Sequence, residues 1–498
     1  MLAPAGMVLG FASNWLIIFT FGLSSALDAY FVAYLFPTLI GGLIADFLGR
    51  NFIPTLDRLK NERNKEEMDA FISTVINYAT LASLVGMVAL WLGMAPLIRL
   101  SAPGLNEKSA ELAIAMAQIM SLAIVFFSVN TLHEYLHQSD RSYFKPQLFK
   151  LALPVSTLAG VAAFGKSQGE MVLAWSFLCA YGLIFVLLLH GLKYRYRPVW
   201  TLRDTEVRSA LVSSGWLLLS GTLSRMRAFV ERYLASQLGP GAVSALALAT
   251  RISSPLQQAA ALGMKLVAFR NASALVAVGR FEEAGWQSRQ VVAIVIMTLS
   301  PVAFWLAADA DLLIPLLFTA RHLSVTEMNM LVDATRGFLI AAPLMAVGPI
   351  LSNLYFVLNR PKVVVIAAPI TLMAYLFFIL IYYEPLGVFG IALATFSIFA
   401  ISFLSMTWHL SRLLPGFSLA SLWSAGARHS FLAATFAWGM SQVSAAAALP
   451  AFAGLALDGA AVATLYFSVL YLSGDESLRL VVAKLHSHAR AEAPPPKS

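Results

Sequence analysis

Residues 222 to 258, TLSRMRAFVERYLASQLGPGAVSALALATRISSPLQQ, set four arginines and a glutamate into sequence that otherwise reads as membrane-spanning helix. Near the centre of a bilayer each such charge costs roughly 3 kcal/mol, so a chain keeps several only where they face water or a ligand. Arg225 and Arg232 are seven apart and share one helical face, whereas Arg227 and Glu231 are four apart and can pair with each other. Arg225 and Arg232, joined by Arg251 from the next helix, then lack an obvious local anion. Guanidinium groups that converge on one place suit a diphosphate, which they grip by bidentate, charge-assisted hydrogen bonds. The bland alternative is that these side chains snorkel to the two membrane surfaces.

Two further patterns carry candidate chemistry. HEYLH at 133 to 137 has the zincin spacing, with two histidines on one helical face and a glutamate between them, and LDG at 457 to 459 could supply a third ligand. This is the enzyme alternative, an intramembrane zinc protease. The plainer reading makes the histidines interfacial groups at the end of a helix. Asp28 follows SSAL and either caps the second helix or takes part in the site.

The elements that would position these residues are helices in lipid. The 498-residue chain is 59% hydrophobic and 12% charged, with a mean hydropathy of +0.75, which no soluble globular domain of this size shows. The net charge of +8 sits in short loops between apolar runs, a pattern of topology and not a nucleic-acid footprint. One cysteine, Cys179, allows neither an internal disulfide nor a cysteine metal cluster. The N-terminal segment has no basic region before its apolar run, so it reads as an uncleaved first helix.

Fourteen apolar runs reach the roughly 20 residues needed to cross a bilayer, among them 210 to 236, 290 to 317, 363 to 383, 387 to 411, 429 to 449 and 452 to 473. Lysine and arginine concentrate in the loops after the even-numbered runs and in the C-terminal tail, which places both termini in the cytoplasm. Runs one to six and seven to twelve repeat in order: Ala33 falls on Ala249 and Pro154 near Pro369. The expected architecture is an all-α polytopic membrane protein of about 14 transmembrane helices. Two parallel-repeat six-helix lobes surround a central cavity, with two extra C-terminal helices. The divisions are 1–200 for the N-lobe, 201–415 for the C-lobe, 416–474 for the last two helices and 475–498 for a basic cytoplasmic tail lying on the membrane face.

VLGFASN (8–14), DAYFVAYLFPTL (28–39), FIPTL (52–56), SAPGL (101–105), GAVSALALATRI (241–252), LFTARHLSVTEMN (317–329) and LNRPKV (358–363) together resemble the MurJ (MviN) family of lipid-linked saccharide flippases. That family sits in the multidrug/oligosaccharidyl-lipid/polysaccharide exporter superfamily. The resemblance implies an alternating-access carrier that moves an undecaprenyl-diphosphate-linked sugar from the inner to the outer leaflet of the bacterial inner membrane. Asp28 and Arg251 match family site positions, and Glu231 falls where relatives have an acidic or polar residue. Met7, Ser13, Gly41 or Gly42, and Ser254 stand where the family has charged groups, while Arg225, Arg227 and Arg232 are gained.

The resulting expectation is a secondary transporter and not an enzyme, with no cofactor and no metal. Its cargo would be an exopolysaccharide repeat unit. Lipid II of peptidoglycan synthesis and drug efflux are the alternatives within the superfamily. The expected substrate-binding residues are Arg225, Arg232, Arg251 and Asp28, with Arg227 and Glu231 as a coupling ion pair. The expected partners are the polyprenyl-diphosphate-linked glycan, membrane lipid, and a polysaccharide polymerase with glycosyltransferases, without nucleic acid. No GxxxxGK phosphate loop occurs, and an anion leaving the cytoplasm gains about 2.3 kcal/mol per charge per 100 mV.

Overall fold

The computed structural model describes all residues except 1, 63, 64, 141, 143, 191, 193, 201 to 220, 224, 319 to 322, 448 and 484 to 498. The first half of the predicted seventh run and most of the predicted tail therefore lie outside the described residues. The described chain is helical, without strands: α1 Leu2–Phe21, α2 Ser25–Glu62, α3 Lys65–Ser101, α4 Glu107–Ser121, α5 Ala123–Ser139, α6 Phe144–Gln168 and α7 Met171–Leu189 come first. Residues 225 to 235 form α8. Then follow α9 Ala242–Ala277, α10 Phe281–Ala308, α11 Ala310–Leu317, α12 Val325–Val357, α13 Pro361–Leu413, α14 Leu419–Ala446 and α15 Ala451–Leu472. Nine helical segments among the described residues are long and apolar enough to cross a bilayer. This is an all-α polytopic membrane protein.

Two expected spans meet at a single residue, and a third is broken in two. The runs 363 to 383 and 387 to 411 fall within the single stretch α13, interrupted at Gly387 (φ 54°, ψ −130°). A Cβ on Gly390 would collide with the carbonyl of Tyr382, so the chain turns sharply between the two helices there. Only glycine adopts the Gly387 backbone without strain. The run 290 to 317 breaks at Asp309 into α10 and α11, and Arg336 of α12 donates to the Ala307 carbonyl just ahead of the break at 3.1 Å.

The chain divides into two compact units. The first holds Met1–Arg251, Ala320–Met330 and Ala368–Leu376. Its centre is the start of α2, where Leu27 and every residue from Ala29 to Ala33 are at most 2% exposed. A helix buried all round at this point sits inside other helices and not at the lipid face. It packs on α3, α4 and α5, and α6 packs on α1 and α7. The short SAPGL connection closes the unit: Gly104 donates its N–H to Ser236 Oγ at 3.2 Å, and a Cβ at Gly104 would overlap the Ser236 carbonyl. Gly104→Ala is expected to cost about 1–3 kcal/mol, the usual penalty of overpacking, read as a lower unfolding temperature of the detergent-purified protein.

The second unit holds Ile252–Thr319, Leu331–Ala367 and Phe377–Ser498. Val292, Ile296, Val347, Ile350, Leu354, Tyr355 and Leu410 form its apolar core. Polar side chains inside it find backbone acceptors: Tyr466 Oη donates to the Met297 carbonyl at 3.0 Å and Thr407 Oγ1 to Phe403 at 2.6 Å. Asp475 accepts from the N–H groups of Ser477 and Leu478 and so starts a helical turn over residues 476 to 483. That turn is fastened to α14 by the Arg428–Asp475 pair and to α10 by Glu476, which accepts from Gln290 at 2.5 Å and Arg289 at 3.3 Å.

Candidate substrate-binding site

Asp28 lies in the first turn of α2, but it does not cap that helix. Ser24 does, accepting from the Leu27 N–H at 3.1 Å. The Asp28 carboxylate instead reaches the beginning of α9, where it accepts from Gly241 N at 2.6 Å, Ser244 N at 2.7 Å and Ser244 Oγ at 2.6 Å. The first turn of any helix presents N–H groups without partners and a partial positive charge, and a carboxylate satisfies both. Both Asp28 and Ser244 are buried, at 2% and 0% exposure. Gly241 is required here twice over: its φ is +87°, and a Cβ would come within 2.7 Å of the Leu23 carbonyl. The quoted stretches DAYF and GAVSALAL thus meet as one latch in the first unit, and SAPGL meets the chain shortly before it, at Ser236.

One turn further along α2, two of the predicted arginines come together. Arg251 lies over the Phe31 ring at 4.9 Å and the Tyr34 ring at 5.4 Å, and donates to Asn14 Oδ1 of α1 at 3.0 Å. Arg232 donates through Nε to the Phe31 carbonyl at 3.1 Å and through Nη1 to the Ala228 carbonyl at 3.0 Å. Carbonyls, an amide and ring faces thus position these two guanidiniums. Tyr34 is itself braced edge-on by Phe177 of α7 at 5.5 Å. Glu231 is buried, and its charge acts on Arg232.

Arg225 and Arg227 stand elsewhere. The Arg227 guanidinium lies 6.0 Å from the Tyr375 ring. Arg225 lies against Gly42, where a Cβ would fall 2.8 Å from its Nη2. Phe31 and Gly42 are eleven residues apart on α2, about 16 Å at 1.5 Å per residue. The predicted cations thus divide into a pair, Arg232 with Arg251, and a third, Arg225, set against α2 about three turns further along that helix. Sequence reasoning missed Asn14 and the Phe31–Tyr34 platform. An asparagine within the apolar α1 was the available signal, but nothing in a single chain says which arginine it meets.

Among the described residues HEYLH does not join a group of three metal-ligating side chains. His137 donates from Nε2 to the Leu188 carbonyl at 3.0 Å, His133 Nε2 faces Tyr194 Oη at 3.3 Å, and Glu134 accepts from Gln138 at 3.0 Å. Each group of the motif is turned to a separate structural partner. Asp458, the acid of LDG, is bonded to Ser444 of α14.

The profile described as "Lipid II flippase MurJ" matches residues 17–467. The chain belongs to the MurJ family. Curated MurJ relatives include the lipid II flippase MurJ of Burkholderia cenocepacia, 29% identical over 260 residues, which is 49% of this chain and 50% of that protein. The probable lipid II flippase MurJ of Bdellovibrio bacteriovorus is 25% identical over 371 residues, covering 69% of this chain and 68% of its own length. The matched stretch spans about half the length of the first of these relatives. Among solved structures, a lipid II flippase MurJ in an inward closed conformation superposes with a TM-score of 0.78 at 18% identity, covering 95% of this chain and 98% of that one. An inward-facing multidrug resistance transporter of the MATE family gives 0.68 at 17% identity, over 82% of this chain and 95% of its own. At these identities the likeness to MurJ and MATE structures is one of fold.

Proposed function

We propose that the chain is a carrier that moves a polyprenyl-diphosphate-linked saccharide from the inner to the outer leaflet of the bacterial inner membrane, without ATP. The observation that carries this reading is the Arg232–Arg251 pair, two cations brought together beside an aromatic platform within otherwise apolar sequence. The diphosphate binds there, and the prenyl chain stays in lipid. The Asp28 latch, one turn away, is the contact that breaks and reforms as the site changes sides, with the repeat halves 1–200 and 201–415 as the moving lobes. By the lysine and arginine bias both termini are cytoplasmic, which puts the latch toward the outer face. A drug-efflux role fits less well, since cationic drugs call for acidic and not basic side chains.

The relatives' names make lipid II the first candidate cargo. A second reading, an exopolysaccharide repeat unit handed on to a polymerase, is favoured by one observation: the cation near Gly42 is supplied from α8 by Arg225. Because a side chain at position 42 and the Arg225 guanidinium compete for one space, the pair should be exchangeable. Arg225→Gly is expected to lower transport several-fold, and Gly42→Arg added to it to restore most of the loss. The test is leaflet exposure of fluorescent lipid II, and of a prenyl-diphosphate oligosaccharide, in proteoliposomes holding the purified chain. Movement of neither lipid would end the flippase reading; movement of only one identifies the cargo.

A further inference from the structure

The second unit contains a buried acidic pair that the transport reading does not use. Asp309, at the α10–α11 break, is 2% exposed and Asp458 of α15 is 1% exposed. Their carboxyls stand within hydrogen-bonding reach of each other. Asp458 Oδ2 accepts from Ser444 Oγ of α14 at 2.6 Å. Asp309 Oδ2 and Asp458 Oδ1 are buried without a well-formed hydrogen bond, and the nearest N–H, Trp305 Nε1, lies beside Asp309 outside good hydrogen-bonding geometry. A Cβ on Gly459 would lie 2.5 Å from the Trp305 ring, so that ring lies flat on the α15 backbone next to Asp458 and screens the pair.

Among the described residues no cation pairs with these acids. Around them, α10 and α11 contribute Trp305 and Asp311, α14 contributes Ser444, and the nearby Arg336 of α12 is committed to Asp311, Asp333 and the Ala307 carbonyl. Neither Asp309 nor Asp458 has an ion-pair partner among the described residues. Two carboxylates this close in a low-dielectric interior do not both ionise. One proton between them turns one acceptor into a donor, satisfies an orphaned oxygen and leaves a single shared charge. The protons then belong to the pair and not to either residue.

We propose that Asp309 and Asp458 form a proton-binding site, with one proton held between the carboxyls where the α10–α11 junction meets α15. Proton loss at high pH places two like charges in contact and pushes α15 away from α10 and α11, so the packing of this corner depends on its proton.

The experiment is infrared spectroscopy of the detergent-purified full chain at neutral pH, with thermal unfolding followed across pH. A protonated-carboxyl C=O band that shifts in D2O is expected, and the difference spectra should show it reduced in both Asp309→Asn and Asp458→Asn. In either variant the amide supplies the donor that the proton supplied, so the fold is kept, while the fall in unfolding temperature at alkaline pH becomes shallower. Asp458→Leu, which supplies no donor, should unfold earlier than either asparagine variant at neutral pH. A band unchanged by both asparagine variants would overturn the proposal. So would a band in the native chain that sodium abolishes at constant pH, since a metal cation and not a proton would then bind there.

Discussion

Asp28→Ala should both destabilise the protein and stop transport. The substitution removes the acceptor of three hydrogen bonds at once and leaves the Gly241 and Ser244 N–H groups buried without partners. Each orphaned buried donor costs about 1–3 kcal/mol, so a loss of several kcal/mol is expected, visible as a lower unfolding temperature. Asp28→Asn keeps one acceptor oxygen and loses the charge at the α9 terminus, and should fall between the two. A single-cysteine probe at Leu23, in a Cys179→Ala background, should become more reactive toward a membrane-impermeant thiol reagent in Asp28→Ala. Unchanged reactivity with unchanged stability would remove the latch from the account.

The second large effect is expected at Arg251. Arg251→Gln should reduce lipid transport in proteoliposomes tenfold or more, equivalent to about 1.4 kcal/mol or above, while membrane insertion and unfolding temperature change little. Arg251→Lys should rescue poorly. A lysine ammonium cannot stack on the Phe31 and Tyr34 rings and reach Asn14 in the same fork geometry. Because Arg232 and Arg251 share the Phe31 position, the double substitution should cost less than the two single losses combined. Normal transport by Arg251→Gln would sink the cationic-pair mechanism.

Much of the architecture was legible because lipid imposes a simple rule: spans must be apolar, long and internally hydrogen-bonded. The rule is blind to what happens inside a span. It separated 363 to 383 from 387 to 411 but gave no sign that Gly387 is the turning point, or that Asp309 would break a run into α10 and α11. Both depend on a single backbone position and not on average hydropathy. The candidate site was half legible. Charges in apolar sequence pointed to Arg232 and Arg251, but helical spacing also grouped Arg225 with Arg232, and spacing on one helix says nothing about the neighbour each side chain meets. Arg225 went to Gly42, whose lack of a side chain is a signal only once the partner is known. The zincin spacing of HEYLH is uninformative for the same reason: the neighbouring α7 carbonyl and Tyr194 decide what the histidines do.

The fastening of residues 475 and 476 onto Arg428 and Arg289 bears on how the protein is made. Both arginines are synthesised and inserted well before their acidic counterparts leave the ribosome, Arg289 by almost two hundred residues. Until then they remain uncompensated, and α10 and α14 cannot reach their final packing. Truncations or reporter fusions that cut ahead of residue 475 should therefore yield chains that insert but are degraded, whereas tags appended beyond the docked turn should be tolerated.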